Sequence, residues 1–174
     1  MASAPQGLTF KTHRDRQNWW QSPWLRRVLL LLPLALAIVG LVNWFGQRPT
    51  RSVAVGPSAK LSVLAPTHGR SGLIYAARFR IDALKELKSA TLLLDGGWAD
   101  GYTVNGSAPQ PVTQGETDGK RNYGFGHIPA GQHVTFWLSL QINPTTIGTH
   151  RQDVWLYDGN RLIATVRRSI RIYP

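Results

Sequence analysis

Between Val28 and Phe45 the chain reads VLLLLPLALAIVGLVNWF, 18 residues without a charge, with Arg26-Arg27 immediately before it and Gln47-Arg48 just after. At about 1.5 Å per residue a helix of this length reaches roughly 27 Å, close to the hydrocarbon thickness of a bilayer. A membrane-spanning helix is therefore the expectation. A core helix would carry polar residues at helical spacing, and none occurs between Val28 and Val42. A cleaved signal peptide fits less well, because the leading segment is long and the helix exit reads Asn43-Trp44-Phe45. Further on, the small-x-small run Ala54-Val55-Gly56 is followed by Pro57, which disfavours a cut there. Arg26-Arg27 has the look of a twin-arginine export signal, but it lies between Leu25 and Val28 against very strong hydrophobicity.

The flanks orient the helix. Lys11, Arg14, Arg16, Arg26 and Arg27 precede it against one Asp15, whereas Arg48, Arg51 and the more distant Lys60 follow it. The positive-inside rule then places the N-terminus in the cytoplasm. Trp19, Trp20 and Trp24 on one side and Trp44 and Phe45 on the other would sit at the two headgroup layers, where an apolar ring with a polar N–H is favoured. With Arg26 and Arg27 these form the expected membrane-interface set. Gly40 would let a second helix approach closely. The expected location is thus a cell membrane, with a single pass and an extracytoplasmic C-terminal domain, periplasmic or at the cell surface, in a bacterium.

Four segments follow: a basic, Trp-rich tail over 1–27, a transmembrane helix over 28–46, a linker over 47–58 containing Pro49, Gly56 and Pro57, and one domain over 59–174. The tail either lies along the inner membrane surface or docks a partner. The absence of cysteine excludes disulfides and thiolate metal sites, so packing must stabilise the domain. The net charge of +11 divides into +4 on residues 1–27 and +7 on residues 47–174. Such an excess suits anionic partners, and the extracytoplasmic location argues against nucleic acid.

From Lys60 onward the texture is that of strands and turns. Lys60–Leu64 closes at Pro66, and Gly72–Ile81 alternates Leu73, Tyr75, Ala77, Phe79 and Ile81 against Ile74, Ala76, Arg78 and Arg80. Ala90–Asp95 ends at Gly96-Gly97, and Ala83–Lys88 bridges the two preceding strands. The stretch Asp100–Arg121, rich in Gly and Pro, is expected to be a long loop with a short strand near Tyr102–Asn105. Asn122–Gly126, the alternating Gln132–Ile142, Gln152–Tyr157 and Arg161–Tyr173 complete the set, the last with a bulge expected near Arg167-Arg168. Asp158-Gly159-Asn160 is a hairpin turn. This spacing predicts a mainly β fold, an antiparallel β-sandwich of about seven strands behind the helix.

The run Ile128-Pro129-Ala130-Gly131-Gln132, a long strand, Gly148, Val154-Trp155-Leu156 and Asp158-Gly159 resembles the second half of bacterial immunoglobulin-like adhesion and accessory domains. The resemblance covers roughly Lys60–Pro174. It implies an immunoglobulin-like sandwich that binds proteins or glycans, scaffolds enzymes or acts as a spacer.

Catalytic chemistry has little to rest on. Ser71, Ser139 and Ser169 lack a Gly-x-Ser-x-Gly elbow, and no carboxylate pair has spacing for acid/base work. His127 and His133 bracket a turn and, with Asp118 or Asp153, are the nearest approach to a metal set, although the spacing matches no template. No catalytic, metal or cofactor residue is expected. The candidate partner-binding residues are Arg78 and Arg80 on one strand face, Arg167, Arg168 and Arg171 on the last strand, and Trp98 and Tyr102 around the long loop. In a sandwich the arginines would merge into one basic patch. The function expected is a non-catalytic accessory subunit of a larger membrane complex, with electron-transfer assemblies, respiratory or photosynthetic, as one host class. Its partners would be integral membrane subunits, an extracytoplasmic protein and the bilayer. The alternatives are an anchored module for cell-wall glycan or lipid, using an aromatic platform at Trp98 or Trp155, and a tethered assembly factor.

Overall fold

The structure, a computed structural model, describes residues 23–41 and 47–174, and the chain divides into two compact units at residues 44/45. In the first, the described part is one helix, α1, Pro23–Leu41. A proline in the first helical turn loses nothing, because its missing N–H would be unpaired there, and the following Leu and Ala residues favour helix. Leu29, Leu30, Leu31 and Leu32 succeed one another around the axis and are all well exposed, so apolar surface encircles the helix. Among the described residues no helix is long and apolar enough to cross a membrane. The charge-free part of α1, Val28–Leu41, has 14 residues and a length of about 21 Å, short of the ~30 Å of a bilayer core. The expected span runs on to Phe45, and Trp44 and Phe45, like Trp19 and Trp20, lie outside the described residues, as does the side chain of Arg26. Trp24 and Arg27 are exposed.

The described residues of the second unit form thirteen strands, against about seven expected. They are β1 (Pro49–Val55), β2 (Ala59–Pro66), β3 (His68–Arg70), β4 (Ile74–Ala83), β5 (Leu87–Leu94), β6 (Tyr102–Ala108), β7 (Thr113–Thr117), β8 (Lys120–Ile128), β9 (His133–Ile142), β10 (Gly148–Arg151), β11 (Val154–Asp158), β12 (Arg161–Val166) and β13 (Ser169–Tyr173). One sheet has the order β1-β2-β4-β9-β6, a second β12-β11-β5-β8-β7, and a third, smaller one β10-β13-β3. Every pairing is antiparallel except that of β13 with β3.

The two large sheets face each other across a common core, and strand alternation decides what enters it. Tyr75, Ala77, Phe79, Ile81 and Ala83 of β4 point inward, as do Phe136, Leu138, Leu140 and Ile142 of β9. Leu87, Ala90, Leu92, Leu94, Val154 and Leu156 face them from the second sheet. Phe136 is the hub, with ring centroids 4.9 Å from Tyr123, 5.2 Å from Phe125 and 6.0 Å from Phe79.

Three sequence expectations are corrected here. The segment read as a linker is mostly β1, paired with β2 along its whole length from Pro49↔Pro66 to Val55↔Lys60; as an edge strand it tolerates a leading proline that a central strand would not. The long loop holds two strands, β6 on the first sheet and β7 on the second, the latter joined to β8 by Asp118-Gly119, both at positive φ. That is the geometry of a tight primed turn, for which Asp-Gly is a favoured pair. The final strand is broken, not bulged: β12 belongs to the second sheet and β13 to the third, and the chain changes sheet at Arg167-Arg168. The register shift on this hairpin falls instead between Leu156 and Tyr157, opposite Ile163. The hairpin turn itself closes as expected, with Asp158 paired to Arg161.

Candidate functional site

The outward positions of β1, β2, β4 and β9 form a basic face. Register places Arg51 opposite Leu64, Leu64 opposite Arg78, and Arg78 opposite Trp137, so these four lie in one row across the sheet. In the adjacent row Val53, Ser62, Arg80 and Thr135 follow one another, and beyond it Val55, Lys60, Asp82 and His133. Arg51 and Lys60 are exposed and Arg78 and Arg80 half-exposed. Arg78 lays its guanidinium over the Trp137 ring, 4.9 Å from the centroid. Arg80 Nε donates to Asp82 Oδ1 at 2.7 Å. Within these rows Asp82 is the one carboxylate against Arg51, Lys60, Arg78 and Arg80. Arg51, Ser62, Leu64, Arg78, Arg80 and Thr135 enclose a small cavity of about 90 Å³.

The remaining candidate residues divide between the interior and other surfaces. Trp98, in a 3-10 turn over Gly96–Trp98, is wholly buried, with its ring 5.2 Å from that of Phe79. The turn is held against the segment before β11, where a Cβ on Gly97 would overlap the Arg151 carbonyl; glycine is required for that approach. Tyr102 is buried beside Tyr75, their rings edge to face at 6.2 Å. Arg168 is also interior, 8% exposed. Its Nη2 donates to the carbonyls of Ala65 at 2.9 Å and Pro66 at 2.7 Å, and its guanidinium lies 5.3 Å from the Trp98 centroid. Its backbone N–H donates to Asp153 Oδ1 at 3.1 Å. Arg168 thereby ties the point where β12 gives way to β13 to the point where β2 gives way to β3. It is a structural pin and not part of a surface patch.

The buried carboxylate of this interior cluster, Asp153, is not hydrogen-bonded to the Arg168 guanidinium. Asp153 accepts from Arg151 at 2.9 Å, and Gln152 donates to the Tyr75 hydroxyl at 3.1 Å. Arg168 Nε and Nη1, the Tyr102 hydroxyl and Trp98 Nε1 are buried without a hydrogen-bond partner among the described residues. Burial lowers the pKa of Arg168, and it pushes the Tyr75 phenol up to about 12 and raises those of Tyr102 and Tyr123.

The single basic patch expected from sequence does not form. Arg78 and Arg80 lie on the outside of the first sheet, whereas Arg167 lines a shallow groove on the second with Arg151, Asp153, Trp155, Leu162 and Thr165. Trp155 is half-buried there, with Lys120 5.0 Å from its ring centroid. Arg171 projects from the third sheet, 5.7 Å from the Tyr173 ring. Arg51, Ser62, Thr135 and Trp137 are the site residues that sequence reasoning missed. Arg51 was hidden in an apparent linker, and Trp137 shows as an outward residue only once the alternation of Val134, Phe136 and Leu138 is read from its other face.

His127 lies 3.0 Å from Glu86 and His133 is paired in register with Asp82. Among the described residues no three His, Asp or Glu side chains assemble as a metal site.

No protein-family model matches the chain, and no curated protein matches it. Among solved structures it is similar to a non-cellulosomal cohesin from the archaeon Archaeoglobus fulgidus, at 13% identity and TM-score 0.42, over 73% of this chain and 92% of that one. It is similar to CaCohA2 from Clostridium acetobutylicum at 16% identity and TM-score 0.45, over 67% and 92%. A third is the CARDB domain of a Pyrococcus furiosus protein, at 11% identity and TM-score 0.40, over 72% and 94%.

Proposed function

We propose that this chain is a non-catalytic docking protein, an accessory subunit of a membrane complex. Its sandwich, which we assign to the immunoglobulin-like class, engages an acidic extracytoplasmic protein surface through the outer face of the first sheet. The observation that carries this reading is the row Arg51–Leu64–Arg78–Trp137 with Arg80 and Lys60 beside it: four cations and an aromatic ring on one sheet face, with Asp82 as the nearby acid. Arginine and tryptophan are the residues that interfaces favour, since each presents a large area that is partly apolar. Partial exposure leaves the cations available, and complementary charge steers encounter with an acidic partner.

Attachment to the membrane rests on the 18-residue run Val28–Phe45 and its basic and aromatic flanks. The apolar residues encircling α1 fit a lipid or helical environment, whereas a helix on a soluble surface would be polar on one side. Of the two rings that the glycan-platform alternative could use, Trp98 is buried and Trp155 is half-buried.

The test is purification of the full chain from its own membranes in mild detergent, followed by zero-length carbodiimide coupling and mass spectrometry. The expected result is a co-migrating protein joined to Lys60 through an Asp or Glu, and its release by the double variant Arg78→Glu, Arg80→Glu with unfolding temperature unchanged. A lone protein, or a complex that survives the double reversal, would overturn the proposal.

A further inference from the structure

The cavity in the basic face is more specific than a general acidic surface requires. We infer that it is a binding site for a single tetrahedral phosphate group. Arg51, Arg78 and Arg80, together with the hydroxyl-bearing Ser62 and Thr135, line one volume of about 90 Å³. Ser62 is only 5% exposed, a small polar side chain set between Val53 and Arg80 in the register. The volume accommodates one compact group of a few heavy atoms, with any larger remainder of a ligand outside the rim.

The donor set selects the anion. One arginine fork satisfies a carboxylate, so three forks and two hydroxyls exceed what a single carboxylate can accept. A phosphate monoester carries close to two charges and three strongly accepting oxygens near neutral pH, and it uses such a set fully. The facing charges are compatible. Asp82 holds Arg80 through Nε at 2.7 Å, leaving both of its Nη groups free of that pair. Trp137 supports the face of Arg78 while leaving its N–H edge available. Lys60 and His133 lie one row away and carry no negative charge. Leu64, the remaining lining residue, seats the arginine stems.

This inference rests on the same face as the docking proposal but not on the identity of any partner. It is tested by calorimetric titration of the full chain in a neutral detergent with inorganic phosphate, glycerol phosphate as a soluble headgroup analogue, and acetate, at constant ionic strength. Phosphate is expected to bind at least about tenfold more tightly than acetate, and Arg51→Gln with Ser62→Ala to weaken it by about tenfold or more while leaving unfolding unchanged. Equal binding of phosphate and glycerol phosphate identifies a site open to a phosphorylated headgroup, whereas preference for inorganic phosphate identifies the free ion; either outcome supports the site. Phosphate binding no tighter than acetate, or unaffected by both substitutions, overturns it. If phosphate fails to bind while a partner still co-migrates, only this inference falls. If phosphate binds and no partner is found, only the docking proposal falls.

Discussion

Arg78 and Arg168 each place a guanidinium over a tryptophan, at 4.9 Å from Trp137 and 5.3 Å from Trp98, yet one pair lies on an outer sheet face and the other inside the sandwich. The contact is the same and its setting is opposite. On the surface water competes for the cation and the stacking contributes roughly 0.5–1 kcal/mol. Inside, the charge has lost its hydration, so the ring face and the carbonyls of Ala65 and Pro66 are what keep it tolerable. Arg78 is consequently free to serve a partner, and Arg168 is committed to the fold. Where a cation sits relative to the sheets, and not its place in a basic run, decides which of these it does.

The largest effect should come from removing the interior ring. Trp98→Ala is expected to cost about 3–5 kcal/mol, through lost burial, the cavity left and the loss of the surface under Arg168. Trp137→Ala, at 44% exposure, should cost under about 1 kcal/mol in the same chemical denaturation experiment. Equal losses would erase the distinction between the two pairs.

Next comes the cation itself. Arg168→Ala leaves the carbonyls of Ala65 and Pro66 without their donor and opens a void, for an expected loss of about 2–4 kcal/mol. Arg168→Met fills much of the volume and removes an unpaired buried charge, so it should recover about half of that loss. Arg78→Ala, which removes only the exposed stacking on Trp137, should cost no more than about 1 kcal/mol. A methionine variant no more stable than the alanine variant would show that the lost donor and charge, and not the volume, set the cost.

The third contrast concerns pH. Burial favours the neutral Tyr75 phenol, with its pKa pushed up to about 12 from an unfolded value of 10.0, and Tyr102 and Tyr123 are shifted in the same direction. Between those values the unfolded chain releases protons that the folded chain keeps. The stabilisation is therefore complete below about pH 10 and is lost as pH rises toward 12. Unfolding followed across this window should show stability declining with pH, more gently in Tyr75→Phe. A flat profile would place these phenols in water.

Much of the architecture was legible because burial imposes a period of two on a strand. Tyr75, Ala77, Phe79 and Ile81 could be assigned to one face before any neighbour was known, and Phe136, Leu138 and Leu140 likewise. Strands that lie at edges or carry few apolar residues leave no such trace. Every residue of β7 is exposed, and β1 begins with proline and alternates only weakly, so both passed for connecting chain. The Asp118-Gly119 pair was the available sign of the β7–β8 hairpin. For the site, Arg78 and Arg80 were visible as outward residues of one strand, but the cavity they share with Arg51, Ser62 and Thr135 depends on the registers of three strand pairings.

By itself, then, the sequence determined a mainly β domain behind an 18-residue apolar run, the residues of its central core and the absence of disulfide support. Those properties follow from local periodicity and residue chemistry, which the chain carries without reference to its fold. Only the tertiary structure decided that adjacent arginines part company, Arg167 remaining exposed while Arg168 enters the core. The inward parity is kept through the change of sheet, since Ala164, Val166, Arg168, Ile170 and Ile172 are all buried, so Arg168 takes an inward place between two apolar ones while Arg167 faces out. The assignment of β4, β12 and β13 to three different sheets divided the expected basic patch, and the pairing of β1 through β2 with β4 left Arg51, Arg78 and Arg80 together on one face.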